Sequence, residues 1–211
     1  MAGFFITFIF LFTSSIIIKH KKNFFVVSTS YIKAEVPQLA RFGYRNICKY
    51  EYECSSYGIF PSVYSRDETI KSIDSIKSSF DINGFGLYAL EKIEDSSFIG
   101  FTGFSIPRFE SFFTPCVEIG WRLSFANWNQ GFATEAAKAC IDFGFSTLEF
   151  NVIHSFTSVL NVKSMHIMKK IGMHFAGTFD HPLIADGNKL KPHVIYKLDR
   201  ENYSGHESTF F

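Results

Sequence analysis

Trp128-Asn129-Gln130-Gly131-Phe132-Ala133-Thr134-Glu135-Ala136 joins an alternating apolar run to a run with helical period. Upstream, in 116–123, Val117, Ile119, Trp121 and Leu123 fall on one face and Cys116, Glu118, Gly120 and Arg122 on the other, the period of a strand. Downstream, Ala133, Ala136, Ala137, Cys140, Ile141, Gly144, Phe145 and Leu148 form one apolar stripe, predicting a helix over 134–148. A strand, a short loop and a helix N-terminus present backbone N–H groups that lack intrahelical partners. The helix dipole adds about half a positive charge at the same point. A diphosphate can be held there by main chain alone if side chains leave room, and Gly131 and Ala133 leave it. A plain strand-to-helix turn fits this local sequence equally well.

The neighbouring elements follow from the same periodicities. Ser65-Arg66-Asp67-Glu68 reads as a capping box, opening a helix through Ile70, Ile73, Ile76 and Phe80 that ends before Asn83-Gly84. Residues 85–93 and 98–106 read as a strand pair across a polar turn at 94–97. Residues 152–160 read as a strand. Asn161 caps a helix through Met165, Met168 and Ile171 that is closed by Gly172, and 193–198 is the last strand. The predicted order is helix, three strands, helix, strand, helix, strand, an α/β class with a mixed sheet and helices on its faces. Two other phosphate motifs are excluded. A G-x-x-x-x-G-K-[ST] loop is absent, and Gly84-Phe85-Gly86 precedes a strand instead of opening a helix.

The chain has 211 residues, with 46% hydrophobic and 19% charged, which supports one packed domain plus an appendage. The net charge of +1 gives no global field toward nucleic acid. The 27 phenylalanines are read as a coding bias. Cys48, Cys54, Cys116 and Cys140 make neither a C-x-x-C pair nor a zinc spacing, so they are expected to be reduced and structural, in a reducing, cytoplasmic setting. Residues 1–18 carry no charged side chain and would span about 27 Å as a helix, marginal for a hydrocarbon core of about 30 Å. Lys19, His20, Lys21 and Lys22 follow. Membrane contact or anchoring through 1–18, a buried element, and a leader from an upstream start or frame shift all stay open. The expected division is 1–22 as apolar leader, 23–59 unassigned, 60–200 as the main domain and 201–211 as tail.

The segment at 128–133 resembles motif A of the GNAT N-acetyltransferases, R/Q-x-x-G-x-G/A. Trp128 stands at the Arg/Gln position, and Gly131 and Ala133 match the rest. The Trp form followed by Thr-Glu-Ala is similar to the branch resembling ribosomal-protein-alanine N-acetyltransferases. Four further pieces agree in family order: Gly84-Phe85-Gly86-Leu87-Tyr88-Ala89, Phe98-Ile99-Gly100-Phe101-Thr102-Gly103, Val117-Glu118-Ile119-Gly120-Trp121-Arg122-Leu123, and Asn161-Val162-Lys163-Ser164 leading to Lys170-Ile171-Gly172-Met173. The resemblance implies a GNAT-like, mostly antiparallel sheet whose strands splay beside the cofactor. The family's opening strand, E-T-x-R-L-x-L-R, has no counterpart legible in 1–59. That motivates the expectation that the segment has been replaced or frame-shifted.

What the resemblance implies about the site is specific. Acetyl-CoA is the expected cosubstrate and no metal is needed. Gln130, Gly131, Phe132, Ala133 and Thr134 would form the diphosphate loop, with Leu123 and Ser124 as backbone contacts and Asn161 near the thioester. Many members use a Tyr acid on the following helix. Its position is Met168 here, so Ser164 or water would protonate the leaving thiolate. Glu118 would be the general base, drawing a proton from the amine directly or through water. Asp180 and His181, within a D-H-P…H-V-x-Y-x-L ending that includes His193, would line the acceptor pocket. A lysine amine costs roughly 4 kcal/mol to neutralise near pH 7.4, an α-amine under about 1 kcal/mol. A single carboxylate therefore suits an α-amine or a small-molecule amine. The expected activity is acetyl transfer to a protein N-terminus or small amine by direct attack. The alternative is a degenerate CoA-binding pseudoenzyme.

Overall fold

The computed structural model describes residues 65–204 other than 93 and 96, with the backbone of strands β1 (Ile17–Ile18), β2 (Phe25–Val26) and β3 (Ile32–Glu35). The expectation for 1–16 and most of that for 23–59 lie outside the described residues. Helix α1 (Arg66–Asn83) begins at the capping box: Glu68 N–H donates to Ser65 Oγ at 3.3 Å, and Ser65 N–H to Glu68 Oε2 at 2.7 Å. Strands β4 (Leu87–Lys92), β5 (Phe98–Ser105) and β6 (Glu118–Leu123) precede helix α2 (Phe132–Ser146). Then come β7 (Val152–Ser158), α3 (Val162–Lys170), β8 (His174–Asp180) and β9 (Pro192–Asp199).

The main sheet has seven strands in the order β3-β4-β5-β6-β7-β9-β8. All neighbours are antiparallel except β6 and β7. A first strand is therefore present, with Ile32–Glu35 paired to β4 at the sheet edge.

β8 corrects the predicted element order, which had a single strand after α3. This edge strand has a neighbour on one side only, and its residues alternate between exposed and half-exposed, so no apolar period marks it. A register shift between Phe175 and Gly177 breaks the alternation further.

The core lies between α2 with α3 and one face of the sheet. Ala136, Ala137, Cys140 and Ile141 of α2 pack with Phe104, Ile119 and Ile153, all essentially without solvent exposure. Each such large aliphatic side chain contributes about 1.5–3 kcal/mol by burial. Small residues let the helix lie close: a Cβ on Gly144 would come within 2.8 Å of the Phe104 ring. That ring is fixed edge-on by Phe85 and Phe150. The opposite sheet face carries Ser105, Glu118, Gly120 and Arg122, as the alternation predicts. Over β4 and β5 this face is covered by α1, whose Ile73 packs on Ala89 and Phe98.

Candidate functional site

Gly131 is the N-cap of α2 and sits at φ 90°, a left-handed conformation that disfavours residues with a Cβ. No side chain caps this helix. The first intrahelical bond runs from Glu135 N–H to Gly131 C=O at 3.0 Å. The N–H groups of Phe132, Ala133 and Thr134 thus open the helix toward whatever lies before it. A Cβ built on Gly131 meets nothing within 4 Å, so that space is open. Gln130 is turned away: its Nε2 donates to Ala126 C=O at 2.8 Å, and its side chain is exposed. Trp128 takes a different part, its Nε1–H donating to Leu123 C=O at 2.8 Å and tying the loop to the end of β6.

β6 and β7 are bridged at one residue pair only, Glu118 with His154, where His154 N–H also donates to Val117 C=O at 2.8 Å. Beyond it the strands part, and β7 continues on β9 instead. Ser124 N–H donates to Ile99 C=O at 2.9 Å and so belongs to the β5–β6 ladder. Antiparallel alternation then turns the N–H groups of Leu123 and Trp121 the other way, into the gap. The resemblance implies backbone contacts at Leu123 and Ser124. Strand parity selects Leu123 with Trp121, and that parity was legible once the β5–β6 register was known.

The gap and the α2 N-terminus open into one cavity of about 230 Å³. Its lining includes Leu123, Gly131, Phe132, Ala133, Thr134, Asn161 and Ser164, and no carboxylate. Lys163 and Lys170 of α3 also line it, two cations outside the site residues expected from the sequence. Lys163 Nζ lies 4.5 Å from the centroid of the Trp128 ring, a cation–π contact across the cavity. Asn161 is committed locally: Oδ1 accepts from Ser164 N–H at 3.2 Å, and Nδ2 donates to Thr157 Oγ1 and Ser164 Oγ at 3.0 Å each. The Ser164 hydroxyl oxygen is thereby an acceptor, which leaves its own proton for another partner.

On the other sheet face, Ser105 Oγ donates to Glu118 Oε2 at 3.0 Å. Burial raises the Glu118 carboxyl to about 7, against a smaller lowering by that hydrogen bond. Burial, and to a lesser degree the same carboxylate, raises the Cys116 thiol to about 11, so Cys116 stays protonated. Glu118 therefore stands where the strands begin to part, and the cavity opens at the far end of the same strand. Asp180 is exposed on β8, and His181 and His193 sit together with ring centroids 4.9 Å apart. Among the described residues no cluster of three metal-type side chains occurs.

The Acetyltransferase (GNAT) domain family matches residues 36–174. A Bacillus subtilis protein, YkkB, is 32% identical over 121 residues, covering 57% of this chain and 64% of its own length. The N-acetyltransferase YnaD of the same organism is 33% identical over 87 residues, 41% of this chain and 51% of its own. The chain thus spans about half to two-thirds of these relatives. Among solved structures, a GNAT-family acetyltransferase from Bacillus anthracis superposes with TM-score 0.66 at 20% identity, covering 83% of this chain and 99% of that one. The ribosomal-protein-S5-alanine acetyltransferase of Vibrio fischeri gives TM-score 0.67 at 13% identity, covering 84% and 98%. Both share the mixed α/β fold. With a family match over more than half its length, the chain belongs to the GNAT acetyltransferases.

Proposed function

We propose that the protein transfers an acetyl group from acetyl-CoA to a primary amine, a small molecule or a protein N-terminus, by direct attack on the thioester. One observation carries this reading: an uncapped helix N-terminus and the edge of a parted strand open into the same cavity, whose lining includes two lysines and no carboxylate. A polyanion with a long hydrogen-bonding arm fits that arrangement. The main-chain N–H groups of Phe132, Ala133 and Thr134 would meet a diphosphate, and Gly131 leaves its approach clear. The N–H groups of Trp121 and Leu123 would pair with the arm as a missing strand does. Gln130 would serve through its main chain, and Asn161 by holding Ser164.

Acetyl-CoA supplies an activated thioester. Glu118 takes a proton from the ammonium, directly or through water, freeing the amine to attack, and its carboxyl near 7 suits that exchange at neutral pH. As the N–C bond forms and the C–S bond breaks, the nitrogen's second proton passes through Ser164 Oγ or water to the leaving thiolate. No metal is required. Cys116 and Cys140 are free thiols, which fits a reducing, cytoplasmic setting.

Calorimetric titration with CoA, and thiol release from acetyl-CoA across an amine panel, test the reading. Binding together with amine-dependent release is expected. Absence of CoA binding by folded protein sinks the proposal. CoA binding without acetylation of any amine selects the pseudoenzyme alternative instead.

A further inference from the structure

Across the sheet face opposite the core, residues align in rows by register. Ser105, Glu118, His154 and Lys197 form one row; Phe156, Ile195 and Gly177 form the next; Ser158, His193 and Phe179 form the third. The segment 106–117 folds back over these rows. Phe113 stacks on His154 at 6.3 Å and meets Phe156 at 5.7 Å and Phe179 at 4.9 Å. Phe109 meets Phe156 at 5.6 Å and His181 at 4.7 Å. Phe112 lies over Gly177, its ring 3.4 Å from where a Cβ would stand.

These rings are not a sealed core. Phe109, Phe113, Phe156 and Phe179 are each half-buried, and Phe112 is 69% exposed. Partly open aromatic surface of this extent, continuous with the half-buried carboxylate of Glu118, has the make-up of a ligand wall. Its polar members are His154, His181 and His193, all held below the ordinary imidazole range by burial, so near neutral pH they add no charge. Such a wall offers flat apolar contact and edge-to-face ring packing. The ring face itself offers a second ammonium group no counter-charge, the carboxylate of Asp180 standing at its exposed edge beside His193, and desolvating one against the rings is costly.

Resting on the acetyltransfer reading, we infer that the acceptor is an arylalkyl monoamine, its ring held against Phe113, Phe156 and Phe109 and its amine directed to Glu118. Polyamines and lysine side chains are disfavoured by the same surface.

The test compares kcat/KM for 2-phenylethylamine, n-butylamine and spermidine with acetyl-CoA. It uses the full chain and the Phe113→Leu and Phe156→Leu variants, which keep apolar volume but remove a ring. At least a tenfold preference for 2-phenylethylamine over either other amine is expected. Each variant should lower that ratio several-fold while leaving the Kd for CoA within twofold of wild type. Equal use of the three amines, a preference for spermidine, or an unchanged ratio in both variants overturns the inference and leaves acetyl transfer standing. Absence of thiol release with every amine overturns the acetyltransfer reading itself, and this inference with it.

Discussion

Glu118 is a carboxyl that the fold keeps from ionising in the ordinary range, because loss of water around it outweighs the Ser105 hydrogen bond, which favours its charge. In Glu118→Gln the carboxylate is lost and the shape kept, so on the proposed mechanism kcat/KM should fall by about 10² or more while the Kd for CoA stays near wild type. An equal turnover in the Gln variant removes Glu118 from its assigned part. In the wild type, kcat/KM should rise with pH and level off above about 7, since only the ionised form accepts a proton. The same shift affects stability. The folded state holds this proton more tightly than the unfolded chain, whose carboxyl titrates near 4.5. The stabilisation is full below that value and is lost as pH rises through about 7. Melting curves between pH 5.5 and 8 should therefore show wild type losing Tm relative to Glu118→Gln as pH increases. A constant difference across that window contradicts the shift.

At the level of elements, α2 serves two ends at once. Its middle must lie close to the sheet, and its N-terminus must stay uncapped. A carboxylate at the start of a helix favours the helix dipole by about 0.3–1 kcal/mol but repels a diphosphate. Thr134→Asp should then hold or raise Tm while weakening CoA binding at least tenfold, opposite signs from one substitution. Loss of both together would mean misfolding, and loss of neither would take the phosphates away from this helix end. Gly144→Ala probes the other end. Ala has better helix propensity than Gly, but its Cβ would approach the Phe104 ring to 2.8 Å and Ile153 Cδ1 to 3.1 Å. That ring is wedged between Phe85 and Phe150 and has nowhere to turn. Overpacking should dominate, with a loss of about 1–3 kcal/mol in denaturant unfolding.

At the scale of the whole molecule, the cavity joins walls from β6, the 124–131 loop, α2 and α3. A ligand that bridges them should stabilise the fold as a unit. CoA at about 100 times its Kd is expected to add about 2.7 kcal/mol of apparent stability, read as a rise in Tm. Amide exchange should slow together in 121–134 and 161–170 and remain unchanged in α1, which lies over the other sheet face. Slowing confined to one wall would mean the walls do not share a ligand.

The local elements were readable because each rests on contacts within a few residues. The Ser65–Glu68 box, the α2 stripe and the Asn161 cap all follow from side-chain size, period and hydrogen-bonding capacity along the chain. The five family pieces add the fold by their order. Three things needed the chain folded on itself. β8 is stabilised by β9 and carries no period of its own. Which N–H groups face the gap depends on the β5–β6 register, which gives Trp121 and Leu123 that direction and returns Ser124 to the ladder. The ring wall draws on Phe109, Phe113, Phe156, Phe179 and His181, residues up to 72 positions apart. Periodicity reports which face of one element a residue takes. Only packing decides which faces of distant elements meet, and a cavity, a shifted carboxyl and an acceptor wall are all made of such meetings.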